Sequence, residues 1–100
     1  MFGTIGHAHV KPGHDGEIMA LLEGWKKDIR PKIPGRVFEL AGHSASDPNE
    51  MVFVALMQDE PTYRALAELP EQDVFYRALL THIDGDIQWD DVNLEITLND

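Results

Sequence analysis

Seven consecutive residues, Met51-Val52-Phe53-Val54-Ala55-Leu56-Met57, are apolar without exception. A surface helix or a half-solvated strand would carry polar residues within such a window, so the run predicts a central β-strand covered on both faces. A strand of this kind needs neighbours on either side and packing above and below. The rest of the chain must supply that cover, and what it cannot supply must come from another chain.

The flanking segments provide part of it. Phe2 to Val10 reads as a strand stopped by Lys11-Pro12-Gly13. From Asp15 the period changes, and Ile18, Leu21, Leu22, Trp25 and Ile29 form one apolar stripe of a helix that Pro31 and Pro34-Gly35 end. Arg36 to His43 is a second strand, joined to the apolar run by the turn-forming Ala45-Ser46-Asp47-Pro48-Asn49. Helix starts follow at Asp59-Glu60-Pro61 and Leu69-Pro70-Glu71, with acids near the positive dipole end and Pro in the first turn. The second of these helices is expected to run to about Ile83, with Phe75, Ala78, Leu79, His82 and Ile83 on its apolar side. Asp84-Gly85-Asp86 is expected to break the chain. Val92, Leu94, Ile96 and Leu98, alternating with polar residues, are expected to form the last strand.

The order β, α, β, β, α, β within 100 residues predicts one domain over residues 1–100. Its class is α+β, a ferredoxin-like βαββαβ antiparallel sheet with helices on one face and the third strand between the first and second. The other face would then be a bare apolar patch, which monomers rarely expose. A second copy related by a two-fold axis is the simplest cover, so a homodimer with its two sheets packed face to face is expected.

Charge narrows the partners. Residues 1–46 hold six cations and five acids, whereas residues 47–100 hold thirteen acids and only Arg64 and Arg77 as cations. A chain of net charge −10 with no Lys after Lys32 has little surface for phosphates, so neither nucleic acid nor an anionic membrane is expected as a partner. Absence of cysteine excludes disulfides, thiolate metal sites and cysteine nucleophiles. No apolar run is long enough to span a bilayer and the first residues lack a signal-peptide pattern, so a cytoplasmic location is the expectation. There is no phosphate loop, dinucleotide fingerprint or nucleophile elbow, and no cofactor is expected.

Several side chains could carry chemistry. Arg77 could hold an anionic oxygen, or pair with Glu71 or Asp73. Tyr63 and Tyr76 could donate to a substrate oxygen, or supply packing area with a solvated tip. His82 could act as a general base beside a cleft, or meet the negative end of its helix dipole. His7 and His9 share one face of the first strand, with His43 and Glu39 of the second strand as conceivable further metal ligands about 10 Å away at ordinary strand spacing; no metal site is expected. Gly6 and Ala8, on the opposite face, would leave a gap for a flat ligand. Trp25 is expected on the core stripe, Trp89 at the mouth of a cleft or against a partner chain, and His14 at an exposed helix start.

Lys11-Pro12-Gly13 after the first strand, Ile33-Pro34-Gly35 before the second, Asp47-Pro48 in the hairpin and Tyr63 early in the helix after the third strand form a pattern over nearly the full length. With it the chain resembles the antibiotic biosynthesis monooxygenase family of dimeric α+β barrels. That resemblance implies a ligand cleft between sheet and helices. It also implies one of several activities: cofactor-independent oxygenation of polycyclic phenols, quinol oxygenation or haem degradation. The family's functional Tyr and Arg fall on Tyr63 and Arg77, while Phe53 and Met57 stand where an Asn and a Trp are used. For the haem-degrading branch the corresponding Asn, Trp and axial His fall on Gly6, Met57 and Leu79, with His82 one turn from Leu79. The function expected is therefore cofactor-independent monooxygenation of a small aromatic or enolisable substrate, with His82 as base and Arg77 and Tyr63 stabilising the anion. The alternative is a non-catalytic ligand-binding or structural dimer of the same fold.

Overall fold

The computed structural model describes residues 1–95. Four strands, β1 (Phe2–Val10), β2 (Val37–His43), β3 (Glu50–Met57) and β4 (Ile83–Asn93), alternate with helices α1 (Asp15–Asp28), α2 (Glu60–Leu66) and α3 (Pro70–Leu80). A short 3-10 turn, Arg30–Lys32, follows α1. The strands form one antiparallel sheet in the order β2-β3-β1-β4, with the apolar run in the interior as its composition requires.

Register assigns every strand residue to a face. Across the sheet Glu39, Ala55, Thr4 and Asp91 form one row, and Ala41, Phe53, Gly6 and Trp89 the next. Both rows face the helices, because Ala8, Met51 and Phe53 pack there with Ile18 of α1 and Leu79 of α3 in one buried cluster. A second cluster joins Trp25, Ile29, Ile33, Met57 and Leu66. The opposite face shows Ile5, Phe38, Leu40, Val52 and Val54, of which Phe38 and Leu40 are 48% and 55% exposed.

Local chemistry fixes the helix ends. Asp59 caps α2 by accepting from Thr62 N at 2.9 Å and Thr62 Oγ1 at 2.6 Å, and these bonds hold its carboxyl below the usual range. The third helix stops at Leu80, short of the expected Ile83: Thr81 Oγ1 donates back to the Ala78 carbonyl at 2.7 Å and His82 N to the Leu79 carbonyl. His82 thus leaves the helix, and its carbonyl accepts from Lys11 N at 3.0 Å.

The expected break at Asp84-Gly85-Asp86 is instead an irregularity inside β4. His7 pairs with Gln88 but His9 with Asp84, so β4 holds extra residues between these points, and Gly85 takes φ +74° to allow it. The last strand therefore begins nine residues earlier than expected, and only Val92 and Asn93 of the predicted alternation lie in it. Leu94 N continues the pairing to the Met1 carbonyl at 2.8 Å, while Ile96 and Leu98 lie outside the described residues.

Candidate functional site

A cavity of about 480 Å³ lies between the sheet and the helices. Its floor is the row Glu39, Ala55, Thr4, in which the small Ala55 leaves room between two polar groups. Leu22 and Trp25 of α1, Leu66 of α2 and Phe75, Tyr76 and Leu79 of α3 enclose it above. Trp25 Nε1 donates to Gln72 Oε1 at 2.8 Å, tying α1 to α3 over the cavity. One wall is aromatic: Trp89 lies 6.4 Å from Phe53 and 6.2 Å from Tyr76 between ring centroids, and its Nε1 donates to Tyr76 Oη at 3.0 Å.

The space expected over Gly6 and Ala8 is not free. A Cβ at Gly6 would meet Trp89 Cζ3 at 2.4 Å, so the flat group resting on that glycine is the chain's own indole. Ala8 is sealed in the first core cluster. The cavity sits one row further along, over Ala55.

Of the three residues expected to act, only Tyr63 lines this cavity. Its phenol donates to Asp91 Oδ1 at 3.1 Å, and Arg64 Nη1 reaches Asp91 Oδ2 at 3.5 Å. Burial, and then the Asp91 charge, raise the Tyr63 pKa, so it remains a neutral phenol whose proton is committed to Asp91. Arg77 is 79% exposed and its Nε pairs with Asp73 at 3.0 Å, the surface pairing that its neighbours in sequence suggested. His82 meets His14, Nδ1 to Nδ1 at 2.8 Å, away from the cavity lining. Trp25 lies in the core, as its stripe predicts, and also walls the cavity.

Two lining groups stand out for how little satisfies them. The Thr4 hydroxyl is buried without a partner among the described residues that meets full hydrogen-bond geometry, although it lies close enough to the Tyr63 phenol to act on it as a hydrogen-bonding neighbour. Such a group normally finds a partner, and a ligand oxygen would provide one. Glu39 makes neither a hydrogen bond nor an ion pair among the described residues, and partial burial raises its pKa to about 7. His7 and His9 are on the other face of the sheet, beside Glu50 at 3.5 Å and Asp47 at 3.6 Å, so Glu39 and His43 cannot join them around one ion. Among the described residues no three His, Asp or Glu side chains come together as metal ligands.

No family model matches the chain, and no curated protein matches it by sequence. Solved structures do. A conserved protein from Methanosarcina mazei Go1 superposes with a TM-score of 0.81 at 14% identity, over 94% of this chain and 92% of that one. Two proteins, each named "putative antibiotic biosynthesis monooxygenase", are similarly alike. The one from Deinococcus radiodurans gives 0.79 at 16% identity over 99% and 97% of the two chains. The one from Nitrosomonas europaea gives 0.74 at 18% identity over 93% and 97%. The chain has the ferredoxin-like α+β fold of these proteins. Identities this low speak for architecture alone, so chemistry must be argued from the cavity. No helix among the described residues is long and apolar enough to cross a membrane.

Glu39 also marks stability. A carboxyl with a raised folded pKa holds its proton more tightly in the folded chain, so its contribution is most favourable below the unfolded value of 4.5 and is lost as pH rises towards about 7. The full shift corresponds to about 3 kcal/mol, which partial solvation of the side chain reduces to about 1–2 kcal/mol. Glu39→Gln is therefore expected to raise stability by that amount at pH 8 and to change it little at pH 4.5. Urea unfolding at the two pH values checks this; an equal effect at both would count against a buried, proton-holding carboxyl.

Proposed function

We propose that the protein is a cofactor-independent monooxygenase acting on a compact aromatic or enolisable substrate in the sheet-to-helix cavity, and that it works as a homodimer. The observation that carries the proposal is the cavity itself, about 480 Å³ of largely apolar space with the Thr4 and Tyr63 side chains in its lining. Space of that size suits a two- or three-ring molecule, and its mostly apolar lining would favour reaction of an electron-rich anion with O₂ over reprotonation.

In the reaction a base removes a proton from an activated C–H or O–H, the electron pair stays on the substrate, and the anion is oxidised by O₂. For a ring CH₂ flanked by carbonyl and aryl groups the balance is CH₂ + O₂ → C=O + H₂O. Thr4 and Tyr63 form a polar edge against which a substrate oxygen can be held. Proton removal falls to a residue of the lining, because neither His82 nor Arg77 belongs to it.

A non-catalytic ligand-binding dimer is the second reading, favoured by the absence, among the described residues, of any Lys, Arg or His from the lining. Haem degradation fits less well, since Leu79 at the axial position has no atom that can ligate iron. Incubation with dihydroxynaphthalenes, quinols and anthrones under O₂ separates the first two readings. Enzyme-dependent O₂ consumption on one of these classes is expected; saturable binding without consumption would give the second reading the advantage.

A further inference from the structure

Among the described residues the lining holds three carboxyls, Glu39, Asp73 and Asp91, and no cation. Two are engaged: Asp91 by Tyr63 and Arg64, and Asp73 by Arg77. Glu39 is not. On its other side a depression of about 350 Å³ is lined by Glu23 and Lys26 of α1 and by Arg30, yet neither cation comes within ion-pair distance of it. A carboxyl facing a cavity without a counter-charge is poorly placed for structure and well placed for a ligand that donates a hydrogen bond.

Position sharpens this. Glu39 and Thr4 are on the same face with one strand between them, at Ala55, so their backbones are about 10 Å apart. The unpartnered Glu39 carboxyl stands at one end of the floor and the Thr4 side chain, beside the Tyr63 phenol, at the other, with apolar surface between. The complementary ligand is uncharged and flat, with a hydroxyl at one end and a second oxygen at the other. An anionic ligand would meet three carboxyls and no cation, so charge selects against it.

We infer that Glu39 is the base of this cavity, its carboxylate accepting the proton of a neutral phenolic or enolic hydroxyl while the opposite end of the ligand rests on Thr4. The ligand's O–H bond breaks, its electron pair stays on the ligand oxygen, and a new O–H bond forms on the carboxyl. This assignment rests on the cavity being the reactive site and names the group that the proposed reaction requires. A carboxyl titrating near neutrality is matched to such a transfer, being ionised often enough to accept and basic enough to pull.

The test uses the full chain and 1-naphthol as a neutral hydroxyaromatic probe, followed by quenching of Trp25 and Trp89 fluorescence between pH 5 and 8.5. Wild-type affinity is expected to rise about tenfold over this range as Glu39 ionises. Glu39→Gln, which keeps shape and removes the charge, is expected to bind with no pH dependence and about tenfold more weakly at pH 8.5. Glu39→Asp keeps the carboxylate and should retain the pH dependence at reduced affinity. If a turnover substrate is found, Glu39→Gln should also lower kcat at least about 100-fold and remove the acid limb of its pH profile. A Glu39→Gln protein with wild-type affinity and pH dependence overturns the inference, as does a wild-type protein that binds naphthol equally at all pH values or not at all. Glu39-dependent binding without O₂ consumption on any substrate defeats the oxygenase proposal and leaves Glu39 as the ligand's hydrogen-bond acceptor.

Discussion

Ala55→Phe is expected to abolish ligand binding while leaving the fold intact. Ala55 occupies the middle of the cavity floor, opposite Glu39 on β2 and Thr4 on β1, and its methyl group is what keeps the two polar ends apart with open space above. A benzyl group there would occupy the position assigned to the ligand's ring. Phe suits a strand, and although Ala55 packs beside the second core cluster, the cavity above it gives the added ring space to enter. Affinity for 1-naphthol should fall at least about 100-fold, equivalent to about 2.7 kcal/mol, with a thermal midpoint equal to or above that of the parent chain. Unchanged affinity in a folded Ala55→Phe protein would mean that the probe binds elsewhere.

A second large effect is expected on the opposite face of the sheet. Ile5, Phe38, Leu40, Val52 and Val54 form an apolar surface there, and Phe38 and Leu40 lie on the edge strand β2 with about half of their area open in the single chain. In the proposed dimer both would be buried, so Phe38→Glu combined with Leu40→Asp places four uncompensated charges in the two-fold contact. Each substituted position is exposed in the monomer, where charge costs little. Sedimentation should show the parent chain as a dimer and the double variant as a folded monomer, with a dissociation constant raised by at least about 100-fold. A parent chain that sediments as a monomer would remove the second copy from the account.

Much of the fold was legible because hydrophobic period and turn chemistry agree along most of the chain. The run Met51 to Met57 could only be an interior strand, and the stripe from Ile18 to Ile29 could only be a helix face. The last strand was hidden by Asp84-Gly85-Asp86, three residues that make turns in most settings and here accommodate extra length against β1. His82 was misplaced for a related reason: its spacing from Leu79 and Phe75 continues a helical stripe, while Thr81 turns the backbone back on Ala78 and ends the helix first.

The site was less legible than the fold. Arg77 drew attention as one of two cations in an acidic half, yet that same acidity supplied Asp73 one turn away to neutralise it. Glu39 carried a quieter signal. Val37, Glu39 and Ala41 alternate with Phe38, Leu40 and Gly42, so an acid shares its face with two apolar residues and must turn inward once register is fixed. The hairpin at Asp47-Pro48 sets that register, and with it the pairing of Glu39 with Ala55. Gly6 was recognised as a place for a flat group, but which group depends on β4, whose start was not readable, and the occupant proved to be Trp89.

The central claim is that a neutral hydroxyaromatic molecule lies across Ala55 between Glu39 and Thr4. A crystal structure of the chain grown with 1,5-dihydroxynaphthalene tests it most directly. The account predicts ring density over Ala55, with one oxygen at hydrogen-bonding distance from the Glu39 carboxylate and the other directed to the Thr4 hydroxyl. Density confined to the outer sheet face or the surface, or a cavity closed by Trp25 and Phe75 with no ligand inside, would contradict it.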